Sequence, residues 1–154
     1  MVLPFRVFGA SLMPAAEALA AHHGWLAPVL LEERKRSLEA LVAEHPAVLL
    51  LDSDGLALQP IEKPLPGPVR VDFAQGEMRW RTTQGDGGRS EMVAKACGVR
   101  KGATPRIFDG TAGLGRDAWI LASLGCAVQL CERSPVIAAL LQDGLERAGC
   151  EPAL

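Results

Sequence analysis

One run of residues, 107–117, constrains the fold of this chain more than any other. An apolar stretch ends there in the carboxylate of Asp109, a turn of small residues follows, and a helix is expected to begin near Arg116. A second acidic residue, Glu132, follows the next apolar run, 127–131. An acid, a glycine turn and a second acid about 20 residues later are typical of a Rossmann-type βαβ unit that binds an adenosine-containing cofactor. The sequence therefore predicts an α/β fold with parallel strands.

The spacing of the glycines narrows the choice of cofactor. A dinucleotide-binding fingerprint is G-x-G-x-x-G, whereas Gly110, Gly113 and Gly115 give G-x-x-G-x-G. A P-loop is excluded because no Gly-Lys-Ser/Thr follows the turn. Counted from Asp109, the run instead resembles the first motif of class I S-adenosylmethionine (SAM) methyltransferases, D-x-G-x-G-x-G, with Thr111 at the first glycine. SAM is therefore the expected cofactor.

The chemical groups of SAM suit these residues. SAM has no phosphate; its methionine end carries an ammonium and a carboxylate, and its ribose carries two hydroxyls. We expect Asp109 to face the ammonium, directly or through water, and Glu132 to accept the ribose hydroxyls. The backbone N–H groups at the start of the helix at Arg116 are suited to the carboxylate. The alternative is a purely structural turn, in which the glycines serve packing and Asp117 favours the helix N-terminus.

The composition is that of an ordinary globular protein. The chain has 154 residues, of which 49% are hydrophobic and 22% charged, with a net charge of -2. This size predicts one modest domain or parts of two. No apolar stretch approaches the ~18 residues of a membrane span, and the start of the chain lacks the pattern of a secretory signal. We therefore expect a cytoplasmic protein with no membrane partner.

The cysteine pattern favours neither a metal nor a disulfide. No C-x-x-C pair occurs, so no metal site is expected. Two of the cysteines would lie at opposite ends of one strand, roughly 16 Å apart and too far to bridge. We predict four reduced, buried thiols: Cys97, Cys126, Cys131 and Cys150.

Residues 1–84 predict a small α+β domain. Its predicted elements are a helix at 14–23 ended by Gly24, a helix at 30–44, strands at 48–51 and 55–58 around a turn, a proline-rich loop at 60–68, and a hairpin at 69–81.

Residues 85–154 predict the start of a SAM-binding Rossmann-like domain. The predicted elements are a helix at 91–97 with Ser90 as N-cap, a strand at 106–109, a helix at 116–124, a strand at 127–131, and a helix at 135–148 with Ser134 as N-cap. This β-α-β-α order predicts parallel strands. Two βα units are only the first part of a doubly wound sheet. We therefore expect an incomplete domain and an N-terminal fragment of a longer protein.

Basic residues concentrate between positions 79 and 106. This segment has seven basic residues against two acidic ones, a local +5 that contrasts with -7 elsewhere, since the whole chain carries -2. Trp80 lies between Arg79 and Arg81, which suits stacking on an exposed base, and Arg89 follows. These four residues are the predicted RNA contacts. The alternative is a solvated basic face with Trp80 in the core.

Three runs of the chain resemble one family, the ribosomal RNA small subunit methyltransferase J enzymes. They are V-D-F-A-Q-G at 71–76, G-G-R-S-E-M-V-A-K-A at 87–96, and the glycine run at 109–117 with L-C-E-R-S-P at 130–135. The resemblance implies a class I fold and SAM-dependent methylation of a guanine N2 amine in 16S rRNA, with that RNA or the small ribosomal subunit as partner. It also implies SAM contacts from Arg116 with Asp117 and from Glu132 with Arg133.

The catalytic motif of this family, Asp-Pro-Met-Phe-Pro, has no counterpart in the sequence. In the family this motif accepts the protons of the guanine amine, so no catalytic residue is assigned here. Two other functions stay open. One is a methyltransferase that acts on a small molecule or a protein, and the other is a non-catalytic module that binds SAM or RNA.

Overall fold

A computed structural model describes residues 3–31, 38, 40–41, 44–73 and 88–149 of the chain. The residues cluster into two compact units, Met1–Arg70 and Val71–Leu154. The boundary expected after residue 84 falls outside the described residues. Within the described ranges, no helix is both long and apolar enough to cross a membrane.

The N-terminal unit is an α+β arrangement built on one mixed sheet. Its described elements are β1 (Phe5–Val7), a 3₁₀ turn (Ala10–Leu12), α1 (Met13–His23), β2 (Val29–Leu30), β3 (Ala47–Asp52) and β4 (Gly55–Pro60). The strand order is β2-β1-β3-β4. Strand β1 runs parallel to β2 and β3, whereas β4 pairs antiparallel with β3.

Strand β3 lies at the centre of the core of this unit. Residues 48–52 are all buried, as expected for a near-continuous apolar run covered on both faces. On α1, Ala16 and Ala20 are the buried residues. The turn from β3 to β4 is closed by Asp52, whose Oδ1 accepts a hydrogen bond from the backbone N–H of Asp54 at 2.9 Å. The helix, the hairpin strands and their turn were all predicted and are confirmed.

Two assignments in this unit need correction. The predicted helix at 30–44 does not begin at Leu30, because Val29 and Leu30 form β2 and pair with Arg6 and Val7. Much of that predicted helix lies outside the described residues. Strand β1 was not predicted. It has only three residues, too few to show an alternation of apolar and polar side chains, and it is defined by its pairing with its neighbours in the sheet.

The predicted hairpin at 69–81 is only partly within the described residues. Val69 pairs with Leu58 as an isolated antiparallel bridge, with backbone hydrogen bonds of 2.9 and 2.8 Å. The turn at Gln75-Gly76 and the second strand lie outside the described residues.

The C-terminal unit has the predicted alternation of strands and helices. Its described elements are α2 (Met92–Ala96), β5 (Ile107–Asp109), α3 (Arg116–Ser123), β6 (Val128–Leu130) and α4 (Pro135–Arg147). Strands β5 and β6 pair in parallel, as predicted, with Asp109 opposite Leu130. Ser134 is the N-cap of α4, because its Oγ accepts a hydrogen bond from the N–H of Ile137 at 3.4 Å. This N-cap was also predicted.

One N-cap in this unit was predicted wrongly. The residue with the extended N-cap conformation before α2 is Glu91, with φ -60° and ψ 141°, so Ser90 does not cap the helix. Helix α2 is also shorter than the predicted helix at 91–97, since only Met92–Ala96, five residues, are helical. Short helices gain their stability from packing, and the buried residue of α2 is Ala94.

A short segment at the start of this unit packs against both long helices. Phe73 stacks on Trp119 of α3 with ring centroids 4.5 Å apart and planes inclined by 9°. The Arg147 guanidinium of α4 donates a hydrogen bond to the carbonyl oxygen of Val71. Val71 also packs directly against Gly144 of α4. Residues 71–73 therefore hold α3 and α4 from one side of the unit.

Candidate cofactor site

The two predicted acids lie at the ends of neighbouring parallel strands. Asp109 ends β5, and Glu132 comes two residues after the end of β6. The pairing continues past the strands, because the N–H of Cys131 donates to the Asp109 carbonyl at 2.9 Å and the Cys131 carbonyl accepts from Ala112 at 3.1 Å. The carboxyl ends of parallel strands are where open α/β sheets bind ligands. Both acids thus lie at the same edge of the sheet.

The side chain of Asp109 is held by the residue that replaces the first glycine. Its Oδ1 accepts hydrogen bonds from the backbone N–H of Thr111 at 2.9 Å and from the Thr111 hydroxyl at 3.4 Å. Oδ2 has no hydrogen-bond partner among the described residues. One carboxylate oxygen therefore fixes the orientation of the side chain and the other is available to a cation.

An open cleft of about 460 Å³ adjoins this carboxylate. Its lining residues come from β5, the glycine turn and the first turn of α3: Asp109, Thr111, Ala112, Leu114, Arg116 and Asp117. The volume lies in the range of small-molecule sites. Arg116 and Asp117 are both exposed, so the cleft presents a cation and carboxylates side by side. This mixture suits a zwitterion better than a simple anion.

Glu132 uses both of its carboxylate oxygens on backbone N–H groups. Oε2 accepts from Gly113 at 2.9 Å, and Oε1 accepts from Ser134 at 2.8 Å. These bonds, from Ser134 and then Gly113, lower the pKa of Glu132 below its ordinary value, and the neighbouring Arg133 contributes in the same direction. Each carboxylate oxygen offers two acceptor positions, so one on each remains for a ligand hydroxyl.

The two later glycines of the run serve different purposes. Gly113 has φ +54°, with only the Thr111 carbonyl oxygen, at 3.9 Å, near the place of a Cβ, and its N–H is the donor to Glu132 Oε2. Gly115 has φ +72°, and a Cβ there would lie 2.5 Å from Leu141 Cδ1 and 3.2 Å from Phe73 Cζ. The glycine at position 115 is therefore required by the packing of α3 against its neighbours, as the structural interpretation of the turn also supposed.

The other predicted site residues differ in how far the structure describes them. Arg133 is exposed and lies beside Glu132. Arg79, Trp80 and Arg81 lie outside the described residues, whereas Arg89 is exposed three positions before α2. The sequence reasoning missed Thr111 and Ser134 as partners of the two acids. Each stands two residues after its acid, a spacing at which side-chain oxygens commonly accept a backbone N–H.

The cysteines differ in exposure from what was expected. Cys97, Cys126 and Cys131 are free thiols, but only Cys126 is buried, and Cys131 is exposed. Cys131 is exposed because it follows the last residue of β6, at the open edge of the sheet. Cys150 lies outside the described residues. Over the described ranges, no group of three His, Cys, Asp or Glu side chains is arranged to hold a metal ion.

Comparison with known proteins agrees with this geometry. The family model "Putative SAM-dependent methyltransferase" matches residues 33–154. The chain belongs to this family of SAM-dependent methyltransferases. The family assignment and the strand-end acids agree with SAM as the cofactor and with the partial class I methyltransferase fold predicted from the glycine run.

Several curated relatives are named ribosomal RNA small subunit methyltransferase J. The one from Cellvibrio japonicus is 44% identical over 142 residues, which cover 92% of this chain and 51% of the relative. The one from Stutzerimonas stutzeri is 47% identical over 138 residues, covering 90% and 51%. The one from Pseudomonas aeruginosa is 57% identical over 99 residues, covering 64% and 38%. The chain spans about half the length of the first two relatives.

A solved structure gives the same family. The crystal structure of a SAM-dependent methyltransferase from Neisseria gonorrhoeae superposes with a TM-score of 0.58 at 29% sequence identity. The match covers 96% of this chain and 53% of that chain.

Proposed function

We propose that the cleft at the ends of β5 and β6 binds SAM and that the protein transfers its methyl group to the N2 amine of a guanine in 16S rRNA. The observation that supports SAM as the cofactor is that Asp109 and Glu132 lie at the same end of two neighbouring parallel strands, with Glu132 bound to the N–H of Gly113 in the turn that follows Asp109. The proposed SAM contacts are Asp109, Gly113, Gly115, Arg116, Asp117, Glu132 and Arg133.

The cleft residues fit parts of SAM one by one, and so does Glu132, which lies at the same sheet edge but does not line the cleft. The free Oδ2 of Asp109 is suited to the ammonium, because the other oxygen is already held by Thr111. Arg116 and the N–H groups of the first turn of α3 are suited to the carboxylate. Glu132 has a lowered pKa and is ionised at neutral pH, so it can accept the ribose hydroxyls. When bound, SAM supplies a methyl group activated by a sulfonium centre.

The assignment of rRNA as the substrate rests on the names of the curated relatives and on the cluster of basic residues in the sequence. The curated relatives are named for the small-subunit rRNA, and basic residues cluster between positions 79 and 106. The proposed RNA contacts are Arg79, Trp80, Arg81 and Arg89. In the reaction a bond forms between the guanine N2 and the methyl carbon, the sulfur–methyl bond breaks, and the amine loses a proton. No residue of this chain is assigned to accept that proton. A ribosomal substrate also implies a cytoplasmic location.

The cofactor assignment is tested by calorimetric titration of the protein at its natural length with SAM. We expect Asp109→Asn and Glu132→Gln to weaken SAM binding by at least about tenfold, since each removes a charge-assisted hydrogen bond. Glu146→Gln is the matched control, because Glu146 is an exposed carboxylate on α4 away from the cleft lining. Equal SAM affinity in all four proteins would refute the site.

The substrate assignment is tested by methyl transfer from labelled SAM. We expect incorporation into 16S rRNA or small subunits and, after nuclease digestion, recovery of the label as N2-methylguanosine. Incorporation only into a small molecule or a protein would overturn the rRNA assignment and favour a methyltransferase that acts on that class of substrate. SAM binding without transfer to any acceptor would favour a non-catalytic module.

A further inference from the structure

Three cations occupy the edge of the β5–β6 sheet opposite the cofactor cleft. They are Arg100, Lys101 and Arg106, here called the basic edge, and all three are exposed. Arg106 directly precedes β5, whereas Asp109 ends it, so the two residues are separated along the strand by about 10 Å. The basic edge is therefore outside the proposed SAM site.

Packing fixes the basic edge to the far end of α3. Val99 packs against the buried cluster that contains Leu121 and Cys126. A Cβ on Gly125, which follows α3, would lie 3.4 Å from the Thr104 methyl carbon. The N–H of Ile107 donates to the Ala127 carbonyl at 2.9 Å. These contacts place residues 99–107 against the end of α3 and the beginning of β6.

A tight turn presents two of the three cations. Arg100 and Ala103 are joined by two backbone hydrogen bonds, of 3.2 and 2.9 Å, with Lys101 and Gly102 at the tip. No acidic residue occurs in the sequence between Glu91 and Asp109. Within the described part of the chain, Arg100, Lys101 and Arg106 make no ion pair or side-chain hydrogen bond, in contrast to the paired Arg70 and Arg147. Their charges are available to an external anion.

We infer that the basic edge contacts the phosphate backbone of the RNA substrate at a point remote from the methylated base. The inference rests on the proposed function, because it takes rRNA as the partner. A folded RNA is large enough to extend past the cleft, and phosphate contacts supply affinity without reading sequence. An anionic polymer is favoured as the occupant because three exposed cations lie within seven positions of the chain, with no acidic residue among them.

The test compares a triple variant, Arg100→Gln with Lys101→Gln and Arg106→Gln, with the wild type at natural length. Binding to transcribed 16S rRNA is measured by filter retention at several KCl concentrations. We expect binding at physiological salt to weaken by about 10- to 100-fold and the slope of log K against log salt to decrease by about 2, close to 0.7–0.9 for each lost phosphate contact. SAM affinity should not change, and the KM for RNA should rise by a larger factor than kcat falls.

Lys63→Gln is the control, since Lys63 is an exposed cation beside Glu62 in the other unit and should leave the salt slope unchanged. Unchanged RNA affinity and slope in the triple variant would overturn the inference. A lower melting temperature of the triple variant with an unchanged salt slope of RNA binding would also overturn the inference. The cations near the end of α3 would then only stabilise the helix. A wild type that binds SAM but no rRNA would instead refute the proposed function, so the two failures are distinguishable.

Discussion

The carboxylate of Glu132 accepts a hydrogen bond from the backbone N–H of Gly113 at 2.9 Å, across a sequence separation of 19 residues. Its second oxygen accepts from Ser134 at the start of α4. One side chain therefore joins the glycine turn after β5 to the N-terminus of the last helix. A residue that only contacted the ligand would contribute little to the free protein, whereas this one also holds the site together.

Glu132→Gln is predicted to lower two quantities. One is the free energy of unfolding of the SAM-free protein, and the other is the affinity for SAM. An amide has a single acceptor oxygen, so its NH₂ group would face one of the two N–H donors. The stability difference should depend on pH. Because the folded-state pKa of Glu132 is lowered, its contribution is fully present above the ordinary carboxyl range and is lost as pH falls through the folded value.

Denaturant titrations of the two proteins between neutral and acid pH check this prediction. The gap between their free energies of unfolding should be constant near neutrality and should close below about pH 4. Glu146→Gln, which changes an exposed carboxylate of α4, serves as the control. A gap that widens in acid would contradict the assigned direction of the pKa.

Gly115→Ala is predicted to destabilise the protein by about 2–4 kcal/mol, because the left-handed conformation and the overlap with Leu141 both oppose a side chain. The matched control is Gly98→Ala, at φ +75° with nothing within 4 Å of the Cβ, which should cost only about 1–2 kcal/mol. Urea unfolding measures both. Equal losses would mean that the close approach of Leu141 is unimportant.

Gly144→Ala is predicted to destabilise, although alanine normally stabilises a helix by about 1 kcal/mol relative to glycine. A Cβ at position 144 would overlap the Val71 side chain and lie 3.0 Å from its carbonyl oxygen. We expect a loss of about 1–3 kcal/mol from this overpacking, read from urea unfolding. The control on the same helix is Ala138→Gly, which should destabilise the protein only through the lower helix propensity of glycine. A gain in stability for Gly144→Ala would contradict the packing described for Val71.

Arg70→Met is predicted to destabilise the N-terminal unit by about 3–5 kcal/mol, because it removes the cationic partner from a buried ion pair. The Arg70 guanidinium lies 2.5 Å from Asp52 Oδ2, with side chains 15% and 7% exposed, and also donates to the Gly55 carbonyl. Combining Arg70→Met with Asp52→Asn should recover much of the loss, since Asn keeps the bond to Asp54. A double-mutant cycle on the free energy of unfolding measures the coupling between Arg70 and Asp52. If the losses of the two single variants simply add in the double variant, the two residues are not coupled.

Local sequence signals predicted most of the elements of the C-terminal unit. The strand-end acid, the glycine run, the Ser134 cap and the proline at the start of α4 each act within a few residues, so their consequences for β5, α3 and α4 are short-range. The same holds for the β3–β4 hairpin, whose turn is closed by Asp52 and Asp54. The N-cap at Glu91 instead of Ser90 shows how weak such signals become for a five-residue helix.

The sequence by itself determined which residue types stand at the sheet edge and that two acids flank a glycine turn. Only the tertiary structure decided what those residues bind: the N–H of Gly113 for Glu132, the Leu141 side chain against Gly115, and the pairing of Val29 and Leu30 with β1. The physical reason is that hydrogen-bond partners and packing distances between segments far apart in the chain arise only after folding, whereas periodicity and capping act between neighbours.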